Sequence, residues 1–149
     1  MRAVIQRVSQ AAVRVGTRTT GKINQGIMVL VGVHHDDNDK DISWLADKLV
    51  NLRIFEDDHG LMNLSLLDIN GEMLIVSQFT LMGDCRKGRR PSWSSAAAPE
   101  KANTLYSQLI EAVRSRGIQT ATGEFQAMMD VSLVNDGPVT LIVDSRKKF

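Results

Sequence analysis

A chain of 149 residues, 43% hydrophobic and 23% charged, is an ordinary globular protein, long enough to bury a core unaided and read here as a single domain over 1–149. Its one cysteine, Cys85, excludes an internal disulfide, and no apolar run approaches the length of a membrane span. A net charge of +1 marks no general polyanion binder, and the absence of an apolar h-region after Met1 favours a cytoplasmic location.

Residues 3–8 and 12–15 read as strands rich in Val and Ile, with Ser9 and Gln10 between them. Residues 27–33 form an apolar run broken only by Gly32, the pattern of a buried strand. Asn38 or Asp39 can cap a helix whose Ile42, Leu45, Ala46, Leu49, Val50 and Leu52 share one face. Residues 73–81 read as another strand. Pro99 and Glu100 open a second helix with an apolar stripe at Ala102, Leu105, Tyr106, Leu109, Ile110 and Val113. Arg114 and Arg116 suit its last turn, and Gly117 stops it. Strands at 118–121, 131–134 and 139–144 close the chain. About seven strands and two main helices, with hairpins at both ends, predict an α/β fold with a mixed, largely antiparallel, curled and barrel-like sheet.

Three polar residues, Ser77, Gln78 and Thr80, intrude on the apolar run from Met73 to Leu81. A strand end emerging into solvent would look like this, and so would a site at the end of a central strand. In a regular strand Ser77 and Thr80 point to opposite faces, so both line one pocket only if the strand bends or bulges. Neither hydroxyl has a visible general base, which Ser and Thr need to act as nucleophiles. His34 and His35 precede an acidic stretch of Asp36, Asp37, Asp39 and Asp41. Acids at a helix start need no metal, and adjacent strand residues point apart, so the expectation is a site without metal or cofactor. His59 lies in a plain turn sequence.

Arg86, Lys87, Arg89 and Arg90 put four cations in five positions, close to Trp93. They suit phosphate contact and base stacking, though a solvated loop has the same composition. Phe125, Met128 and Met129 read as core residues. In Asn135-Asp136-Gly137-Pro138 a proline follows the glycine of a turn sequence. It removes a backbone donor where a strand begins and makes a cis peptide accessible, at a cost of ~0.5–1 kcal/mol.

Three segments together, MRAVIQRV at the start, SQFTL at 77–81 and NDGPVT at 135–140, resemble the D-aminoacyl-tRNA deacylase family. The similarity runs the whole length and includes GRRPSW and the APEKA helix start. The resemblance implies hydrolysis of the ester joining a D-amino acid to the 3′-terminal adenosine of tRNA, with glycine on the wrong tRNA as a related substrate. It implies a homodimer in which Gly137-Pro138 of one subunit enters the active site of the other and rejects L-residues. Ser77, Gln78, Phe79 and Thr80 carry over as catalytic-site residues. Gly137 and Pro138 carry over as substrate-facing residues, Arg7 as the brace of their loop, and Ala102 and Met129 as pocket wall. No membrane partner and no cofactor is implied.

Two mechanisms remain open at this level. Thr80 attacks and forms an acyl-enzyme, or the site positions the ester, the substrate's own 2′-hydroxyl and a water. The missing base favours the second. A non-catalytic RNA-binding module and a small-ester hydrolase are the readings from other classes.

Overall fold

The structure, a computed structural model, describes residues 1–148. In chain order it contains β1 (Arg2–Val15), β2 (Arg18–Ile23), β3 (Gly26–Gly32), α1 (Asp39–Asn51), β4 (Phe55–Glu56), β5 (Met62–Leu64), β6 (Glu72–Ser77), a 3-10 turn (Phe79–Met82), α2 (Pro99–Arg114), β7 (Thr120–Thr122) and β8 (Asp130–Asp144). The two helices and the mixed sheet match the expected class.

β1 organises the sheet. One of its edges pairs antiparallel with β3 over Arg2–Val8 and then with β2 over Ala11–Val15. Its other edge pairs antiparallel with β8 along nearly the whole strand. From β3 the sheet continues in parallel through β6 to β7. Three antiparallel pairings thus join two parallel ones. The sheet curls because β2 approaches β7: a Cβ on Gly21 would stand 2.5 Å from the Thr122 carbonyl oxygen. Only glycine permits that backbone contact.

Alternation along β3 and β6 explains why both read as unbroken apolar runs. Ile27, Val29, Val31, Met73 and Ile75 face the core shared with α1 and α2. Met28, Leu74 and Val76 face a second core inside the curl, with Val8, Ala11 and Val13 of β1. Strands covered on both faces have no polar side to display. The helices seal the first core through the predicted stripes, including Leu45, Leu49, Leu109 and Val113. Asn38 caps α1 in a reciprocal capping box with Asp41.

Three expectations about elements need correction, and one strand carried no expectation. The two predicted N-terminal strands are one, and Ser9-Gln10 is a bulge, where two residues of β1 oppose one of β8. That extra residue explains a change of parity: Ala3 and Ile5 face the helices, whereas Ala11 and Val13 face the interior of the curl. The segment RTTGKI, too polar to signal a strand, is β2, held by the ladder to β1. The strand expected over 73–81 ends at Ser77. Finally, 131–134 and 139–144 are not a hairpin but parts of one strand, β8, from which 136–139 stand out.

Tyr106 ties α2 to the site strand. Its hydroxyl donates to the Ile75 carbonyl at 2.8 Å, and burial pushes the phenol pKa far above its ordinary value. Ile75 keeps a second donor, the Gly123 N–H at 3.2 Å. Tyr106→Phe is therefore expected to lower stability by only about 1 kcal/mol, read as a shift in the urea midpoint with unchanged m-value.

Candidate active site

The strand expected to run on to Leu81 bends after Ser77. Gln78 ends the β6 ladder, its N–H donating to the Val31 carbonyl at 2.7 Å, and the chain then tightens into the 3-10 turn. The Leu81 N–H returns to the Gln78 carbonyl at 3.3 Å, and the Gly83 N–H to the Thr80 carbonyl at 3.0 Å. Phe79 and Thr80 open this turn, the positions whose N–H groups a helical turn leaves without an internal acceptor. Both residues are exposed. The Phe79 ring meets Trp93 edge-on, with centroids 5.4 Å apart.

Beside the turn lies a cavity of about 610 Å³. Ser77, Gln78 and Phe79 form one wall, and Ala102 of α2 and Met129 lie in others. Five of the predicted site residues therefore meet. The loop from Phe125 to Met129 supplies the remaining wall, together with Val31 and Val76 below. Met128 is 90% exposed, so it is not the core residue its hydropathy suggested. Gln126 also lines the cavity, in a left-handed backbone conformation with φ 63° that nothing in the sequence signalled.

The chemistry of the walls is restricted. They offer a hydroxyl, two carboxamides, thioethers and aliphatic or aromatic surface, with no titratable side chain. Thr80 is not among the lining residues, and no carboxylate, imidazole or amine of the cavity could take its proton. The arrangement can position a neutral ester and offer backbone donors; it cannot supply a charged acid or base.

Arg7, Gly137 and Pro138 are absent from the lining of this cavity. They form a separate structure where β1 meets β8. Gln6 pairs with Thr140 and Val8 with Asn135, so residues 136–139 project as a loop opposite Arg7 alone. The Asn135 side chain closes its neck: Oδ1 accepts from the Val139 N–H at 2.8 Å, and Nδ2 donates to Gln6 at 2.9 Å and Thr140 at 3.0 Å. Buried Arg7 holds the base, donating Nε to the Asp136 carbonyl at 2.9 Å and Nη1 to the Ile54 carbonyl at 2.7 Å. The Gly137–Pro138 peptide is cis, and Gly137 has φ +132°. A Cβ there would lie 2.8 Å from Arg7 Nη2 and 2.9 Å from Val139 Cγ2.

The outer edge of β8 pairs with no strand among the described residues. Val131, Val134 and Ile142 are exposed along it, at 37%, 48% and 57%. So long an apolar edge is normally covered.

His34 and His35 differ from expectation. They follow the end of β3, so strand alternation does not separate them, and their rings lie 4.2 Å apart. With Asp36 they could offer three ligand atoms within 4.8 Å of one another. Ordinary contacts account for them: the Asp36 N–H donates to His34 Nδ1 at 3.2 Å, and the Asp36 carboxylate meets His35 Nδ1 at 2.8 Å. Burial lowers the His34 pKa, with Arg146 and His35 acting in the same direction.

Residues 4–144 match the family described as D-Tyr-tRNA(Tyr) deacylase. The chain is 62% identical over its whole length to a protein of Thermosipho africanus named D-aminoacyl-tRNA deacylase, and 56% identical to one of the same name from Clostridioides difficile, each covered completely. Among solved structures it is similar to the c-Myc DNA Unwinding Element Binding Protein, with a TM-score of 0.92 and 39% identity over 97% of this chain and 98% of that one. A probable eukaryotic D-amino acid tRNA deacylase shares the fold, with a TM-score of 0.83 at 20% identity over 95% of this chain and 97% of that one.

Proposed function

The chain belongs to the D-Tyr-tRNA(Tyr) deacylase family, and from that premise we propose that it hydrolyses the ester between a D-amino acid and the 3′-terminal adenosine of tRNA, releasing free D-amino acid and tRNA. The observation that carries the reading at residue level is the cavity beside the Phe79–Met82 turn, polar at Ser77 and Gln78 yet free of titratable side chains. The aminoacyl-adenosine enters it, with Ala102 and Met129 as side walls.

An aminoacyl ester is already activated, so positioning supplies most of what hydrolysis needs. The carbonyl lies over the start of the turn, where the Phe79 and Thr80 N–H groups stabilise the oxyanion as it develops. The terminal 2′-hydroxyl of the substrate assists the attacking water. The reaction uses no metal, and turnover is expected to survive a chelator. Thr80 supports the geometry of the turn and is not acylated. Thr80→Ala is therefore expected to keep deacylation within about tenfold of the parent rate, far short of the ~10⁴-fold or larger loss of a removed nucleophile. An acyl group trapped on Thr80 and seen by mass spectrometry would overturn this assignment.

The functional unit is a homodimer. The free apolar edge of β8 supports a second copy there, and the partner subunit's Gly137 and Pro138 reach the cavity, which the loop of the same protomer does not line. With the α-amino group and ester both held, two directions remain at the α-carbon. A D-residue turns its hydrogen to the loop backbone and its side chain to open space; an L-residue drives its side chain into the loop. The rejection is steric and made by backbone, so it applies across side chains, and glycine on the wrong tRNA passes it. The biological role is proofreading of aminoacyl-tRNA in the cytoplasm, ahead of translation.

Incubation of the pure protein with matched D- and L-tyrosyl-tRNA tests the reading. Release of D-tyrosine with the L-ester spared is expected. Equal cleavage of both would leave a general esterase, and no cleavage of either a binding module.

A further inference from the structure

A second cavity, of about 730 Å³, has Met82 of the same turn and the Gly83 that follows it in its wall. Four cations line it, Arg2, Arg86, Arg146 and Lys148, against two carboxylates, Asp84 and Asp144. Two of the cations are matched: Arg2 Nη2 lies 3.0 Å from Asp144, and Arg86 Nη2 lies 2.6 Å from Asp84. The latter pair holds the Asp84 carboxyl down to about 2, so it stays ionised. Arg146 reaches only Asp36, at 3.5 Å, and its Nε is buried without a hydrogen-bond partner among the described residues. Lys148 is exposed and has no acid partner among them. Exposed Lys87, Arg89 and Arg90 follow Arg86 in the chain. The cavity therefore has surplus positive charge, which suits a phosphate.

We propose that this cavity binds the phosphodiester backbone of the tRNA strand that leads to the terminal adenosine in the first cavity. The inference rests on the functional reading above. Its geometric ground is that one segment serves both cavities: Phe79 lines the first and Arg86 the second. Chain connectivity holds these residues within about 25 Å of each other, a span of a few nucleotides. Phosphate contacts here fix the register of the strand and carry no base information.

The test compares Arg146→Ala/Lys148→Ala with the parent enzyme on two substrates, D-tyrosyl-tRNA and D-tyrosyl-adenosine. KM for the tRNA should rise with kcat little changed, and both constants for the adenosine ester should stay at parent values. The slope of log K for uncharged tRNA against log salt should fall by about 1.4–1.8, so the binding advantage of the parent shrinks about tenfold between 50 and 200 mM salt. Lys148→Ala alone, at the chain end, should show about half that change if the double variant unfolds. Unchanged tRNA KM and salt slope, with the adenosine ester still cleaved, would overturn the phosphate site and leave the functional reading standing. A parent enzyme that cleaves neither ester would overturn both.

Discussion

A D-aminoacyl-tRNA ending in 2′-deoxyadenosine is expected to turn over on the order of 10²–10⁴ times more slowly than the ribose substrate, the usual contribution of a positioned proton-transfer group. The expectation follows from the walls of the first cavity, which contain no group able to take a proton at neutral pH. If the protein cannot activate water, the neighbouring hydroxyl of the substrate must help. Binding should hardly change, because the deleted oxygen is a small part of the contact surface. Single-turnover rates at saturating enzyme measure the chemical step directly. Equal rates for the two sugars would return proton handling to the protein and reopen the case for Thr80. On the proposed mechanism the reacting hydroxyl belongs to the ribose, so a substrate ending in RNA would be required.

Gly137→Ala should reduce kcat/KM for D-tyrosyl-tRNA by about 10²-fold, the penalty of an ångström-scale misplacement in a positioned site. The added methyl would fall 2.8 Å from Arg7 Nη2 and 2.9 Å from Val139 Cγ2, in a backbone with φ +132° that L-residues rarely adopt. Arg7 cannot yield easily, because it is buried and donates to carbonyls of Asp136 and Ile54. The loop must move instead. Global stability should fall by no more than about 1–3 kcal/mol, since exposed residues 136–138 add little to the core. Activity and unfolding measured on one preparation separate the two effects. An alanine variant with parent D-over-L selectivity and rate would remove the loop from the mechanism.

The helices were the most legible part of the chain. Capping residues, the Pro99 start and the apolar stripes are local signals, and local forces decide them. Strand limits were less legible because long-range pairing decides them. RTTGKI becomes a strand only because β1 offers an edge, and Ser9-Gln10 reads as a break when it is a bulge. In the site, Ser77 and Gln78 were visible as polar intrusions on an apolar run, but the strand was expected to continue to Leu81, and the turn that follows Gln78 carried no signal of its own. The left-handed Gln126 and the pairing of His34 with His35 carried no such mark, since each depends on how a loop leaves its strand. The motifs supplied Gly137 and Pro138, but their projection from the middle of β8 needed the register against β1.

A fifteen-residue strand with one free side is a template for sheet growth, and a chain that can add once to such a side can add again. Residues 136–139 interrupt that template at its middle. A strand added to the outer edge would have to pair on either side of this interruption rather than along one continuous ladder. Growth beyond a closed pair is then disfavoured by shape alone. The loop proposed to tell D from L would in this way also oppose fibre formation.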